Sequence, residues 1–113
     1  MRIFLAEDEQ DLNAIIVQKL TEDGYSVDHC FDGRTAIDIL SCTEYDAVIL
    51  DIMMPKMNGD EAAKCIRKIN PSIPIVAMSA QSEYSIDQTI MNDSISKPID
   101  EQKLNHILRK YVA

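Results

Sequence analysis

The sequence predicts an α/β fold, a doubly wound sheet of parallel strands, and three observations predict it. Short apolar runs of strand length alternate with segments of helical period along the whole chain. The run "AVIL" does not alternate between apolar and polar residues, as befits a strand buried on both faces. A chain of 113 residues that is 46% hydrophobic suits one domain, residues 1–113, with one core and no room for a second domain.

The first strand is "RIFLA", residues 2–6. Leu12, Ile15, Ile16 and Leu20 then share one helical face, and Gly24 stops that helix. Tyr25 to Phe31 reads as the second strand, and Ala36, Ile37 and Leu40 line a short helix. "DAVIL" is the third strand, followed by a helix with Ala62, Ile66 and Ile69 on one face, and "IPIVAM" is the fourth strand. A less regular region runs from Gln81 to Asn92. A brief strand around Ser94 to Ser96 leads into the last helix, where Leu104, Ile107, Leu108 and Tyr111 share a face. The expectation is five strands and about five helices, with right-handed crossovers. Ligands of such folds bind beyond the carboxyl ends of the strands, where strand order reverses.

Several function classes are excluded at this level. The net charge of −8 argues against holding nucleic acid by electrostatics. The runs "AIIV" and "AVIL" are too short to span a bilayer, and the start "MRIFLAEDE" turns acidic before a secretory segment can develop, so a cytoplasmic location without membrane attachment is expected. Cys30, Cys42 and Cys65 form no C-x-x-C pair and read as core or surface thiols. With three glycines in the chain there is no G-x-G-x-x-G or Walker loop.

The strand ends carry the chemistry. "LAED" ends the first strand with Glu7 and Asp8, "AVILD" the third with Asp51, "VAMS" the fourth with Ser79 and "SISK" the fifth with Lys97. In a parallel sheet all of these project toward one edge. Clustered carboxylates repel one another and call for a cation if they are to stay ionised. Hard oxygen ligands without His or Cys favour Mg²⁺, with Mn²⁺ as an alternative. Carboxylate, metal, ammonium and hydroxyl are the parts wanted for phosphoryl transfer to an acidic side chain. Singly, each has a plainer reading: Asp8 or Asp51 as a cap or loop residue, Ser79 as a small strand terminus, Lys97 as a surface lysine. Asn58-Gly59 alone is a turn signal.

Together, "LAEDE", "DIMMPKMNG", "VAMSA" and "SKPI", in this order and covering essentially the whole chain, resemble the receiver domain of two-component response regulators, including receivers attached to hybrid sensor kinases. The resemblance implies a flavodoxin-like (βα)5 fold with strand order 2-1-3-4-5. It makes Asp51 the phosphoacceptor, fed by a phosphohistidine on a histidine kinase or histidine phosphotransfer protein. It makes Asp8, Asp51 and the backbone carbonyl of Met53 ligands of Mg²⁺, with Glu7 acting through a water. It gives Lys97 and Ser79 the bound phosphate, Pro98 a cis bond that aims the lysine, and Pro55 and Gly59 the loop over the site. Met53 and Gln81 fall at the variable positions that tune phosphate lifetime in the family. A receiver of this kind is a signalling domain rather than an enzyme, and a monomer until phosphorylated.

Two features depart from the family pattern. The stretch from Ser79 to Lys97 is short by roughly four residues, about one helical turn, so the helix between the fourth and fifth strands should be truncated or irregular. Ser94 stands where most receivers carry an aromatic switch; Tyr84 is a candidate substitute, but a surface or packing role is the better reading of it. These departures favour a phosphorelay role or an unusual output face. The rival class is a pseudo-receiver, an interaction module that works without phosphorylation. An aspartyl-phosphate phosphatase is disfavoured because Met53 occupies the place of its second acid.

Overall fold

A computed structural model of the chain describes residues 1–54, 57–80 and 86–112. The elements are β1 (Arg2–Ala6), α1 (Gln10–Glu22), β2 (Ser26–Cys30), α2 (Gly33–Leu40), β3 (Ala47–Asp51), α3 (Gly59–Ile69), β4 (Ile75–Ser79), β5 (Asp93–Ser96) and α4 (Glu101–Val112). The strands form one parallel sheet in the order β2-β1-β3-β4-β5, as expected. Order reverses beside β1, between β1 and β3, the two strands that carry the acidic residues.

The central strands are continuous apolar runs because both of their faces are covered. Side chains alternate across them. Phe4, Ala6, Val48, Leu50, Ile75 and Ala77 pack with Ala36 and Leu40 of α2 and with Ala62, Ala63 and Ile66 of α3. Ile3, Leu5, Ala47, Ile49, Val76 and Met78 pack on the other side with Ile16 and Leu20 of α1 and with Leu104 and Leu108 of α4. Gly24, at φ 97, ends α1 in the left-handed region that favours glycine. Asn58 does more than turn the chain: its side chain accepts from the Glu61 N–H at 2.9 Å and caps α3.

Two helical faces differ from expectation. Ile15 and Ile69 are 53% and 40% exposed. The inward stripe of α1 runs through Asn13, Ile16 and Leu20, which turns Ile15 outward, and Ile69 lies at the end of α3, beyond the cover of the sheet. Among the described residues there are four helices rather than about five, and none stands between β4 and β5. Residues 86–92 instead make a turn, with the Ile90 and Met91 N–H groups both donating to the Asp87 carbonyl at 2.9 Å. Ile86, Ile90 and Met91 pack on the core beside α3.

Arg67 of α3 ties this turn down. Its guanidinium donates to the Ile90 carbonyl at 2.6 and 3.0 Å, to Asn92 Oδ1 at 3.1 Å and to the Ile73 carbonyl at 2.7 Å. The same Asn92 oxygen accepts from the Ile75 N–H at 2.9 Å, at the first residue of β4. Hydrogen bonds from one side chain thus tie down the described part of the connection where a truncated or irregular helix was expected. Pro55, Gln81 and Tyr84, each given a role by the sequence reading, lie outside the described residues.

Candidate active site: an acidic cluster facing a lysine

Parallel strands in register deliver their C-terminal residues to one edge. Asp51 pairs with Met78 across β3 and β4, so Ser79 stands one residue further along the neighbouring strand. Ser79 in turn pairs with Ser96, immediately before Lys97. The Lys97 N–H donates to the Ser79 carbonyl at 2.8 Å, and the Lys97-Pro98 peptide is cis, as the resemblance implied. Glu7 and Asp8 follow β1.

The Lys97 ammonium lies 2.8 Å from Glu7 Oε1 and 3.3 Å from Asp51 Oδ2. Glu7 Oε2 accepts from the Glu9 N–H at 3.0 Å, and Asp51 Oδ1 from the Met53 N–H at 3.1 Å. Glu7, Asp51 and Ser79 are buried, at 0%, 1% and 3% exposure, whereas Asp8 reaches solvent. Oxygens of Glu7, Asp8 and Asp51 lie within 4.8 Å of one another. The structure therefore brings together Glu7, Asp8, Asp51 and Lys97. It also draws Glu7 into a direct ion pair with Lys97. The Met53 side chain is exposed, and its backbone N–H is tied to Asp51.

The electrostatics follow from burial and proximity. The Asp51 carboxyl is pushed up to about 7, first by burial, then by its hydrogen bond with Asp8 and the negative charge of Glu7. Burial would raise Asp8 too, but hydrogen bonds with Asp51 and Glu7 outweigh it and hold Asp8 below the usual range. For Lys97, burial works against the charge, yet Glu7 and Asp51 keep the ammonium above its ordinary value. Apart from the lysine, Glu7 Oε1 and Asp51 Oδ2 meet no hydrogen-bond partner among the described residues. One lysine against three clustered carboxylates leaves a charge deficit that a small divalent cation fits, and the donors are all hard oxygens.

Gly59 supports the site from below. A Cβ there would overlap the Asp51 carbonyl oxygen and stand 2.6 Å from Ile52 Cα, and the Gly59 N–H donates to the Ile52 carbonyl at 2.9 Å. Gly59→Ala is expected to cost about 1–3 kcal/mol and to shift the strand end that carries Asp51; urea denaturation checks the first and Mg²⁺ titration the second. Sequence reasoning passed over Asn13, which is fully buried. It sits three residues before Ile16 on the inward stripe of α1.

This fold and this edge are those of a known class of signalling domain. The sequence pattern of the response regulator receiver domain matches residues 3–109, and the chain belongs to that family. It is similar to the response regulator ArlR of Staphylococcus haemolyticus, with 35% identity over 106 residues, 90% of this chain and 48% of ArlR. The transcription factor SKN7 of Chaetomium thermophilum is 30% identical over 118 residues, 99% of this chain and 15% of that protein. This chain thus spans about half the length, or less, of these curated relatives. Among solved structures, the response regulator TrrA of Thermotoga maritima, in complex with Mg²⁺ and BeF, superposes with a TM-score of 0.92 at 30% identity, covering 98% of each chain. The receiver domain of the Pseudomonas aeruginosa sensor histidine kinase PA1611, with magnesium in its active-site cleft, gives 0.91 at 29% identity, covering 97% of this chain and 95% of that one. No helix among the described residues is long and apolar enough to cross a membrane.

Proposed function

We propose that this receiver accepts a phosphoryl group on Asp51 from a phosphohistidine of a histidine kinase or phosphotransfer protein. The observation that supports it most is the placement of a buried carboxylate, Asp51, at the strand-reversal edge with Lys97 at 3.3 Å and two further acids beside it. An Asp51 carboxylate oxygen forms the bond to phosphorus as the phosphorus–nitrogen bond of the donor breaks, and the departing imidazole keeps the electron pair and takes up a proton. Lys97 stands where it can turn from Asp51 to the new phosphoryl oxygens, and Ser79 supplies a hydroxyl on the adjoining strand. Asp8, Asp51 and the Met53 carbonyl would hold Mg²⁺, or Mn²⁺ with the same oxygen donors, while Glu7 keeps Lys97 in place. The bound cation neutralises charge on the phosphoryl oxygens and lets Asp51 ionise despite its burial.

The short Ser79-to-Lys97 connection, with no helix among its described residues, and the serine at position 94 favour a relay, in which the phosphoryl group is passed onward, over an aromatic-switch output. On this reading the domain works in the cytoplasm, contacts other proteins and leaves any nucleic acid to other parts of a longer chain. Incubation with acetyl phosphate, followed by intact mass, tests the proposal. The expected result is a Mg²⁺-dependent gain of one phosphoryl mass that is absent in Asp51→Asn. No gain, together with failure to bind beryllofluoride, would move the assignment to a phosphorylation-independent interaction module.

A further inference from the structure

Asn13 is a buried amide wedged between three elements, and each of its polar atoms has a partner. Nδ2 donates to the Glu7 carbonyl at 3.0 Å and to the Cys30 carbonyl at 3.0 Å. The same Cys30 carbonyl accepts from the Glu7 N–H at 3.2 Å, so one side chain of α1 fastens the end of β1 to the end of β2. With both amide hydrogens committed, Oδ1 accepts, and it faces His29 Nδ1, which must therefore carry the ring proton. His29 is exposed and its ring stands edge-on to Phe31 at 5.5 Å between centroids.

The Glu7 carbonyl is the hinge of the acidic pair. The peptide it belongs to leads directly to Asp8, the least buried member of the cluster, and Asn13 holds that carbonyl. We propose that Asn13 is a positioning residue for cation binding by Asp8 and Asp51, acting through the Glu7–Asp8 backbone, and that His29 orients its amide; this rests on the phosphoacceptor reading above. Groups that orient ligands from behind them commonly govern metal affinity without touching the ion.

The test is calorimetric titration of Mg²⁺ into wild type, Asn13→Ala, His29→Ala and a control, Leu108→Val, which loosens the core far from the edge. Asn13→Ala is expected to weaken Mg²⁺ binding about tenfold, His29→Ala to weaken it less, and Leu108→Val to leave it unchanged. Wild-type affinity in Asn13→Ala, or an equal loss in Leu108→Val, overturns the proposal while the phosphoacceptor reading stands. Absence of Mg²⁺ binding by the wild type sinks both. If Asn13→Ala does not fold, His29→Ala decides alone, since an exposed ring can be removed without opening the core, and unchanged affinity there counts against the proposal.

Discussion

Arg67→Ala is expected to lower the unfolding free energy by about 2–4 kcal/mol, and Arg67→Lys to recover only a small part of it. The guanidinium reaches Ile73, Ile90 and Asn92 at once, and additionally the Pro71 carbonyl at 3.1 Å. Removing it strands the partly buried carbonyls of Ile73 and Ile90. Lysine offers a point charge without the planar fork that spans two segments. Burial already presses the guanidinium below its ordinary pKa, which is the cost that its many acceptors offset. Urea denaturation gives the loss. Hydrogen exchange should localise it: the Asn92 N–H, which donates to the Ile75 carbonyl at 2.9 Å, is expected to lose protection before the amides of β1 and β3. A change within 0.5 kcal/mol, inside the usual range of surface substitutions, would show that the turn holds itself.

Asp51→Asn is expected to stabilise the metal-free protein at pH 8 by up to about 4 kcal/mol, and to stabilise it little near pH 4. The fold pushes the carboxyl up to about 7, against 3.8 for an unperturbed aspartate. Between those values the folded state holds a proton that the unfolded chain has lost, so wild-type stability falls as pH rises through that window. Asparagine has no such proton to lose. Mg²⁺ should act in the opposite sense: it binds the ionised cluster, so its stabilising effect in the wild type is larger at pH 8 than at pH 5, and Asp51→Asn loses most of it. Thermal melts at the two pH values, with and without Mg²⁺, check all of this. A wild type whose metal-free stability rises from pH 5 to pH 8 would contradict the assignment of Asp51 as the strained carboxylate.

The central strands were legible because double burial writes itself as uninterrupted apolar residues, and "AVIL" is buried throughout. The site was legible for a related reason: each of its side chains lies at or just past a strand end, and parallel register turns that sequence position into a shared edge. Arg67 was not legible, because most of its partners are backbone carbonyls, which carry no residue identity. Asn13 was obscured by the apolar residues around it, as its neighbour Leu12 fits a helical stripe nearly as well as it does. The exposure of Ile15 and Ile69 depends on where the sheet stops covering each helix, which is a property of the assembled layers rather than of helical period.

The pair that closes the acidic cluster joins residues 7 and 97, one from the first strand's end and one from beyond the last. No nascent chain that stops short of Lys97 contains both. Because the sheet order also separates β1 from β5 by two intervening strands, the lysine can meet Glu7 only after β3 and β4 are in place. The site is thereby a reporter of completed folding: an unfinished or misregistered chain does not bring Glu7, Asp51 and Lys97 to one edge. Such a chain would remain silent rather than transmit a false signal.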